Sequence, residues 1–267
     1  MKQTIGFLLL ACLWPVATCA ETTVNGVKVF TTIEEFVNPA HSHVVVVDMQ
    51  NDWISTQGGL VRKDKTVPAD PKKHEIADNQ WAEPVKNVQP FLDAARDNGV
   101  SVGYVEVILC DRMGQMLRTS GELWCNRLQT EWAPSIVEGS WGAQTISEIA
   151  PQEGEFIVHK IHGDGFYNTT LDDLLKEKSP KCLLMVGGAS SGCLFATALG
   201  ALEHGYYPVW VSDCVEPDPE QFKRIEGWFP TFSSAEIIAT WKRMEKDEDE
   251  KTAESSTGTA GGKDIEH

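Results

Sequence analysis

Residues 181–205 read KCLLMVGGASSGCLFATALGALEHG. The apolar run over Lys181–Val186 shows no alternation, which fits a strand buried on both faces of a parallel sheet. Gly187 to Gly192 forms a glycine-rich turn. From Cys193 to His204 the apolar residues continue at helical density until Gly205 stops them. Tyr207–Ser212 then supplies a second buried strand, so the segment is a strand–helix–strand unit.

The same alternation extends in both directions. His43–Met49 (HVVVVDM) is a continuous apolar strand. Asn79–Asn98 is a predicted helix, with Trp81, Val85, Val88, Leu92 and Ala95 on one face and Asn98-Gly99 as its stop. Val100–Leu109 is the next strand, followed by an irregular stretch to about Gly142. Phe156–Lys160 is a strand and Thr169–Lys178 a helix. Beyond Ser212 the chain predicts a helix near Pro219–Gly227, a short strand at Phe229–Phe232, and a helix capped by Ser233 or Ser234 that runs through Met244. Such a pattern implies a parallel sheet covered by helices on both faces, in one domain over 43–244 after a lead-in at 21–42. Ligands bind such sheets beyond the carboxyl ends of the strands. Asp48, Lys160 and the turn before Cys193 all fall there.

The ends of the chain carry other information. Residues 1–20 place a basic Lys2 before an apolar run and small residues Thr18-Cys19-Ala20, the layout of a secretory signal peptide cut after Ala20. The sequence therefore predicts a secreted protein. The ending Lys263-Asp264-Ile265-Glu266-His267 resembles an ER-retention signal only loosely. Residues 245–267, acidic and without apolar periodicity, are expected to be a disordered tail. The net charge is −16, and loss of Lys2 makes it one unit more negative. No basic patch offsets it, which argues against nucleic acid or an anionic membrane as partner.

Seven cysteines occur, and five lie beyond residue 20: Cys110, Cys125, Cys182, Cys193 and Cys214. An odd count leaves at least one thiol unpaired. Cys110 and Cys125 flank the irregular stretch as either a disulfide or two free thiols. Cys182 and Cys214 begin and end neighbouring strands and cannot pair. Asn168-Thr169-Thr170 is the single N-glycosylation sequon, and its place near the expected crevice argues against occupancy. Trp53, Trp124, Trp132 and Trp141 are candidates for packing, for a pocket wall or for the contact of a homo-oligomer.

Three residues at strand ends carry candidate chemistry. Cys193 opens a helix, where free N–H groups and the helix dipole favour a thiolate, although a packing cysteine also fits this position. Asp48 is a general base or a hydrogen-bonded structural acid. Lys160 is a charge partner or a surface lysine. One thiol, one acid and one cation at three carboxyl ends compose a nucleophile, a base and its partner.

Several motifs resemble one family. VVVVDMQNDW (44–53), HKIHGDGFYNTTLDDLL (159–175) and GGASSGCLFATALGALEHGY (187–206) are similar, in this order, to the motifs of the isochorismatase-like cysteine hydrolases. GSWGAQ (139–144) and VSDCV (211–215) fit as well. The resemblance implies a three-layer α/β/α, Rossmann-like fold with a six-stranded parallel sheet. It implies Asp48 as base, Lys160 as its partner and Cys193 as nucleophile. It also implies a non-proline cis peptide at Gly188–Ala189 that turns the Ala189 and Cys193 N–H groups toward an oxyanion. Gln50, Trp53, His162 and Asn168, in the same motifs, are candidate substrate contacts.

Within the family the chain looks most like the ureidoacrylate and biuret type amidohydrolases, which implies hydrolysis of a linear amide or ureido C–N bond in a small molecule. It departs from them in two places and lacks a metal motif of a third group. Their Lys-x-Arg-Tyr-Ser is here Lys160-Ile161-His162-Gly163-Asp164, without the arginine that takes a substrate carboxylate. Gly188 and Gly192 replace larger apolar residues. Cys110-Asp111-Arg112-Met113-Gly114 stands where nicotinamidases carry an Asp-x-His metal motif, so neither metal nor cofactor is expected. The alternatives are isochorismatase-type vinyl-ether hydrolysis, which needs no cysteine, and a catalytically silent binding protein.

Overall fold

The computed structural model describes residues 22–258, apart from 63, 65, 118–134 and 226. The chain divides into two compact units, residues 1–31 and 32–267. In the first, β1 (Thr23–Val24) and β2 (Val27–Lys28) pair antiparallel around Asn25-Gly26. Both turn residues have positive φ, 51° and 79°, the geometry for which Asn-Gly is the favoured hairpin loop.

The second unit contains α1 (Ile33–Val37), β3 (Ser42–Val47), α2 (Asn51–Ile54), α3 (Ala82–Asp97), β4 (Ser101–Val107) and β5 (Phe156–Lys160). It continues with α4 (Leu171–Lys178), β6 (Cys182–Gly187), α5 (Cys193–Glu203), β7 (Tyr207–Val215), α6 (Pro219–Ile225), β8 (Thr231–Phe232) and α7 (Ser234–Gly258). Strands β3 to β8 form a six-stranded sheet in the order β5-β4-β3-β6-β7-β8, with every neighbouring pair parallel. The first strand of the sheet lies in the middle and the order reverses on either side of it. The switch point between β3 and β6 is therefore where a crevice opens at the carboxyl ends.

Alternation along the strands divides the core. Val45, Val47, Val105, Val158, Leu183 and Met185 face α4 and α5, whose Leu171, Leu175, Leu194, Ala198 and Ala201 complete one apolar layer. On the other face α3 packs on the sheet, and Phe91 stacks on Trp241 of α7 at 5.7 Å. Trp241 Nε1 donates to Val37 O of α1 at 2.6 Å, which ties the three helices together. Helix α1 starts at a reciprocal capping box between Thr32 and Glu35.

One expectation about the chain's organisation changes. Helix α7 does not end near Met244 but runs to Gly258, so residues 245–258 of the acidic tail are helical. Glu, Lys and Ala are strong helix formers, and the i,i+4 pair Lys246–Glu250 at 3.6 Å adds support. Residues 259–267 lie outside the described part, as do the expected signal peptide, Cys125, Trp124 and Trp132. Cys110 is a buried free thiol. Cys182 and Cys214 sit near opposite ends of the paired strands β6 and β7, both as free thiols.

Candidate active site

Three strands deliver three side chains to one point. Asp48 follows the last residue of β3, Lys160 is the last residue of β5, and Cys193 is the first residue of α5, just past β6. Asp48 adopts a left-handed backbone, φ 53°, and its N–H donates to Val105 O at 2.9 Å. This turn swings the carboxylate across the top of the sheet. Strand β5 lies two strands from β3, roughly 10 Å away, and the long stem of Lys160 bridges that gap.

Lys160 Nζ donates to Asp48 Oδ2 at 2.9 Å and to His162 O at 3.0 Å. The side chains are 0% and 5% exposed, so Lys160 is no surface lysine. Burial works against its ammonium charge, but Asp48 and Cys193 beside it raise its pKa above the ordinary lysine value. Asp48 Oδ1 is buried without a hydrogen-bond partner in the protein. Both Asp48 and Lys160 act electrostatically on the Cys193 thiol, and Asp48 and Cys193 border the same cavity. Thr197 fixes this end of α5: its Oγ1 donates to Cys193 O at 2.7 Å and accepts from Gly165 N–H at 3.0 Å.

The thiol differs from expectation. Burial, reinforced by the Asp48 charge and only partly offset by Lys160, pushes Cys193 up to about 12. That direction favours a neutral thiol at rest. The position at the start of a helix is as predicted, but burial and a facing carboxylate outweigh the helix dipole.

The turn before Cys193 contains a cis peptide at Gly188–Ala189. Gly187 has φ 101°, and a Cβ there would collide with Val47 O, so only glycine lets β6 turn so close to β3. Gly192 and Leu194 N–H both donate to Ala189 O, at 3.0 and 3.1 Å. Among the described residues no acceptor meets the N–H groups of Ala189 and Cys193.

These groups border a cavity of about 480 Å³ whose walls include Asp48, Trp53, Trp81, Leu109, Gly188, Ala189, Cys193 and Glu216. Of the four candidate substrate contacts, Trp53 alone lines it. Gln50 is fully buried: its amide donates to Val107 O and Ala143 O, and Val107 N–H donates back to it. It clamps β4 to the 143–145 segment. His162 contributes its carbonyl to Lys160 and stacks its ring edge-on to Tyr167 at 4.9 Å. Asn168 is exposed in a positive-φ turn, φ 55°, outside the cavity wall. Steric shielding by the crevice therefore does not protect its sequon.

Sequence reasoning missed Trp81 and Glu216. Trp81 had been placed on the helix face; it stands one residue before α3, 3% exposed, against the cavity. Glu216 directly follows β7, and the rule that singled out Asp48 and Lys160 at strand ends applies to it equally. No cluster of three or more His, Cys, Asp or Glu side chains suited to a metal ion occurs among the described residues.

Fold and site together define an α/β protein with a parallel six-stranded sheet and a thiol, a carboxylate and an ammonium group at its switch point. The isochorismatase domain model matches residues 42–224, and the chain belongs to that family. The ureidoacrylate amidohydrolase of Rhizobium rhizogenes is 30% identical over 185 residues, 66% of this chain and 71% of that protein. The N-carbamoylsarcosine amidase of an Arthrobacter species is 28% identical over 143 residues, 49% of this chain and 53% of that one. A solved cysteine hydrolase from Pseudomonas syringae pv. phaseolicola shares the fold, with TM-score 0.61, 24% identity, and coverage of 77% of this chain and 94% of that one.

Proposed function

We propose that this protein is an amidohydrolase that cleaves a linear amide or ureido C–N bond in a small molecule through a Cys193 thioester. The observation that carries the reading is the convergence of Cys193 and the buried Asp48–Lys160 pair, 2.9 Å apart, at one cavity end, beside two backbone N–H groups that find no acceptor among the described residues.

Asp48 takes the proton of the neutral thiol as Sγ attacks the carbonyl carbon. The S–C bond forms, and the carbonyl oxygen gains negative charge beside the Ala189 and Cys193 N–H groups. The C–N bond then breaks as Asp48 returns its proton to the departing nitrogen. Water attacks the thioester and gives a proton to Asp48. The acid leaves, and the sulfur takes that proton back. Lys160 stays charged throughout and keeps Asp48 ionised between proton transfers. The similarity to relatives named as amidohydrolases supports the same bond class.

Turnover of a panel of ureido acids, primary amides and isochorismate, alongside Cys193→Ala, tests this reading. We expect ammonia or amine release by the wild type, loss of it in Cys193→Ala, and an acyl adduct on Cys193 by mass spectrometry. Hydrolysis of isochorismate that survives Cys193→Ala would establish the vinyl-ether chemistry instead. We also propose that the protein is secreted, on the signal-like pattern of residues 1–20. N-terminal sequencing of the exported form should then begin at Glu21.

A further inference from the structure

Gly188 departs from the family pattern, and the room its missing side chain leaves is filled. A Cβ there would stand 2.7 Å from Trp81 Cη2, 3.0 Å from Glu216 Cβ and 3.3 Å from Glu216 Oε2. Glycine thus admits an indole and a carboxyl group to the cavity wall beside the cis peptide. Glu216 is fixed there by several bonds. Its N–H donates to Gly187 O at 2.9 Å, and its carbonyl accepts from the Ser190 hydroxyl. Its Oε2 accepts from Ser190 N–H at 3.2 Å and its Oε1 from Gln80 Nε2 at 3.3 Å. These partners leave each carboxylate oxygen with further acceptor capacity. The groups acting on the carboxyl are Gln80, Ser190 and Asp218, none of them cationic; burial, the largest influence, raises its pKa.

The charge balance of the cavity follows. Asp48 and Glu216 both line it, and no Lys, Arg or His does among the described residues. The Lys160 ammonium is held by Asp48 and is 0% exposed on its side chain. The arginine that would take a substrate carboxylate is absent from the lysine motif, where Ile161-His162 stands. A carboxylate entering this cavity meets Glu216 with no cation among the described lining residues to pair with either group. A cation meets Glu216 and the indoles of Trp53 and Trp81, both of which favour it.

We infer that the cavity selects a substrate bearing an ammonium or guanidinium group, with Glu216 as the residue that pairs with it. The amide half of this substrate rests on the proposed function above; the charge preference does not. Three probes of equal chain length separate the two: 4-ureidobutylamine, butylurea and 4-ureidobutyrate. Calorimetric binding to Cys193→Ala measures charge preference without turnover, and product release by the wild type measures chemistry.

We expect binding in the order ammonium, neutral, carboxylate. The first step should be about 10-fold or more, the range of a charge-assisted hydrogen bond. Glu216→Gln retains an oxygen for Ser190 N–H and should bring the ammonium-to-neutral ratio to about one. In turnover the same collapse should appear in KM more than in kcat. Binding of the carboxylate probe as tight as the ammonium probe, an unmoved ratio in Glu216→Gln, or binding of none of the three overturns the inference. Charge-selective binding without turnover supports it and counts against the amidohydrolase reading instead. Turnover without charge preference does the reverse.

Discussion

Replacing Lys160 by methionine tests the electrostatic centre of the site. The substitution keeps most of the stem and deletes the charge. In the wild type the ammonium lies 2.9 Å from Asp48 Oδ2, with the side chains 0% and 5% exposed. At an effective dielectric of about 20 the gross attraction at that distance is about 6 kcal/mol, and desolvation consumes much of it. Breaking such a pair by removing one partner costs about 3–5 kcal/mol, because the other charge stays buried. Asp48 is poorly placed to absorb the loss, since its Oδ1 already lacks a partner in the protein. It escapes by taking a proton, which raises its folded-state pKa above the unfolded value.

A group so shifted is stabilising below its unfolded pKa, and that contribution is lost as pH rises through the folded pKa. The urea midpoint of Lys160→Met should therefore fall relative to wild type as pH rises from 5 to 8. A protonated Asp48 cannot accept the thiol proton, so kcat/KM should drop by on the order of 10²-fold or more, the range of general acid–base groups. The acidic limb of the pH profile should move upward. Lys160→Arg should recover only part of the loss, because a planar guanidinium does not replace a compact ammonium. Wild-type stability, kcat/KM and acidic limb in Lys160→Met would refute the reasoning.

Other expectations are independent of this one. Because Asp48 takes the Cys193 proton as the sulfur attacks, Asp48→Asn should lower turnover by about 10²-fold or more and slow alkylation by iodoacetamide at pH 7. Alkylation as fast as in the wild type would mean that Asp48 is not the base. Activity should survive exhaustive dialysis against a chelator; loss that zinc or manganese restores would sink the metal-free expectation. His43 is fully buried, 2.6 Å from Ser101 Oγ and stacked on Phe156, and burial with help from the Lys178 charge pushes its pKa down to about 3. A depressed histidine gives stability that is present above about 6.5 and lost as pH falls toward 3. At pH 5 this amounts to about 2 kcal/mol. Urea unfolding of His43→Phe should lack that component between pH 8 and 5; parallel curves for variant and wild type would contradict it.

The strands were legible because burial on both sheet faces leaves an unbroken apolar run, as in Val44–Val47 and Leu183–Val186. Phe156–Lys160 appears at its predicted bounds. The Asn25-Gly26 hairpin was overlooked although its dipeptide is a strong local signal, because two-residue strands carry no periodicity. The tail was misjudged for the opposite reason: its described side chains at 245–252 are all exposed, so no apolar face marks the helix and propensity was the only available signal. At the site, the motifs placed Asp48, Lys160 and Cys193, but motif membership did not give direction. Gln50, two residues after Asp48, points inward to bond Val107 and Ala143. Trp81 and Glu216, far apart in sequence, both crowd the space that a Cβ on Gly188 would fill.

The protonation state of the nucleophile connects the site to the proposed location of the protein. A thiolate at rest, open to solvent, is the form that oxidants and disulfides attack. Here the charge of the resting site resides in the Asp48–Lys160 pair, and the sulfur stays protonated until the base receives its proton. The free Cys182 and Cys214 are buried and likewise pushed up, Cys182 to about 12. Unpaired cysteines in an oxidising compartment are a hazard chiefly when ionised and accessible. Burial suppresses ionisation of all three thiols, and a carboxylate acts on Cys214 (Asp213) as well as on Cys193 (Asp48), but of the three it is Cys193 that borders the cavity. The feature that disfavours a preformed thiolate is therefore one that suits the proposed cysteine chemistry to the proposed export.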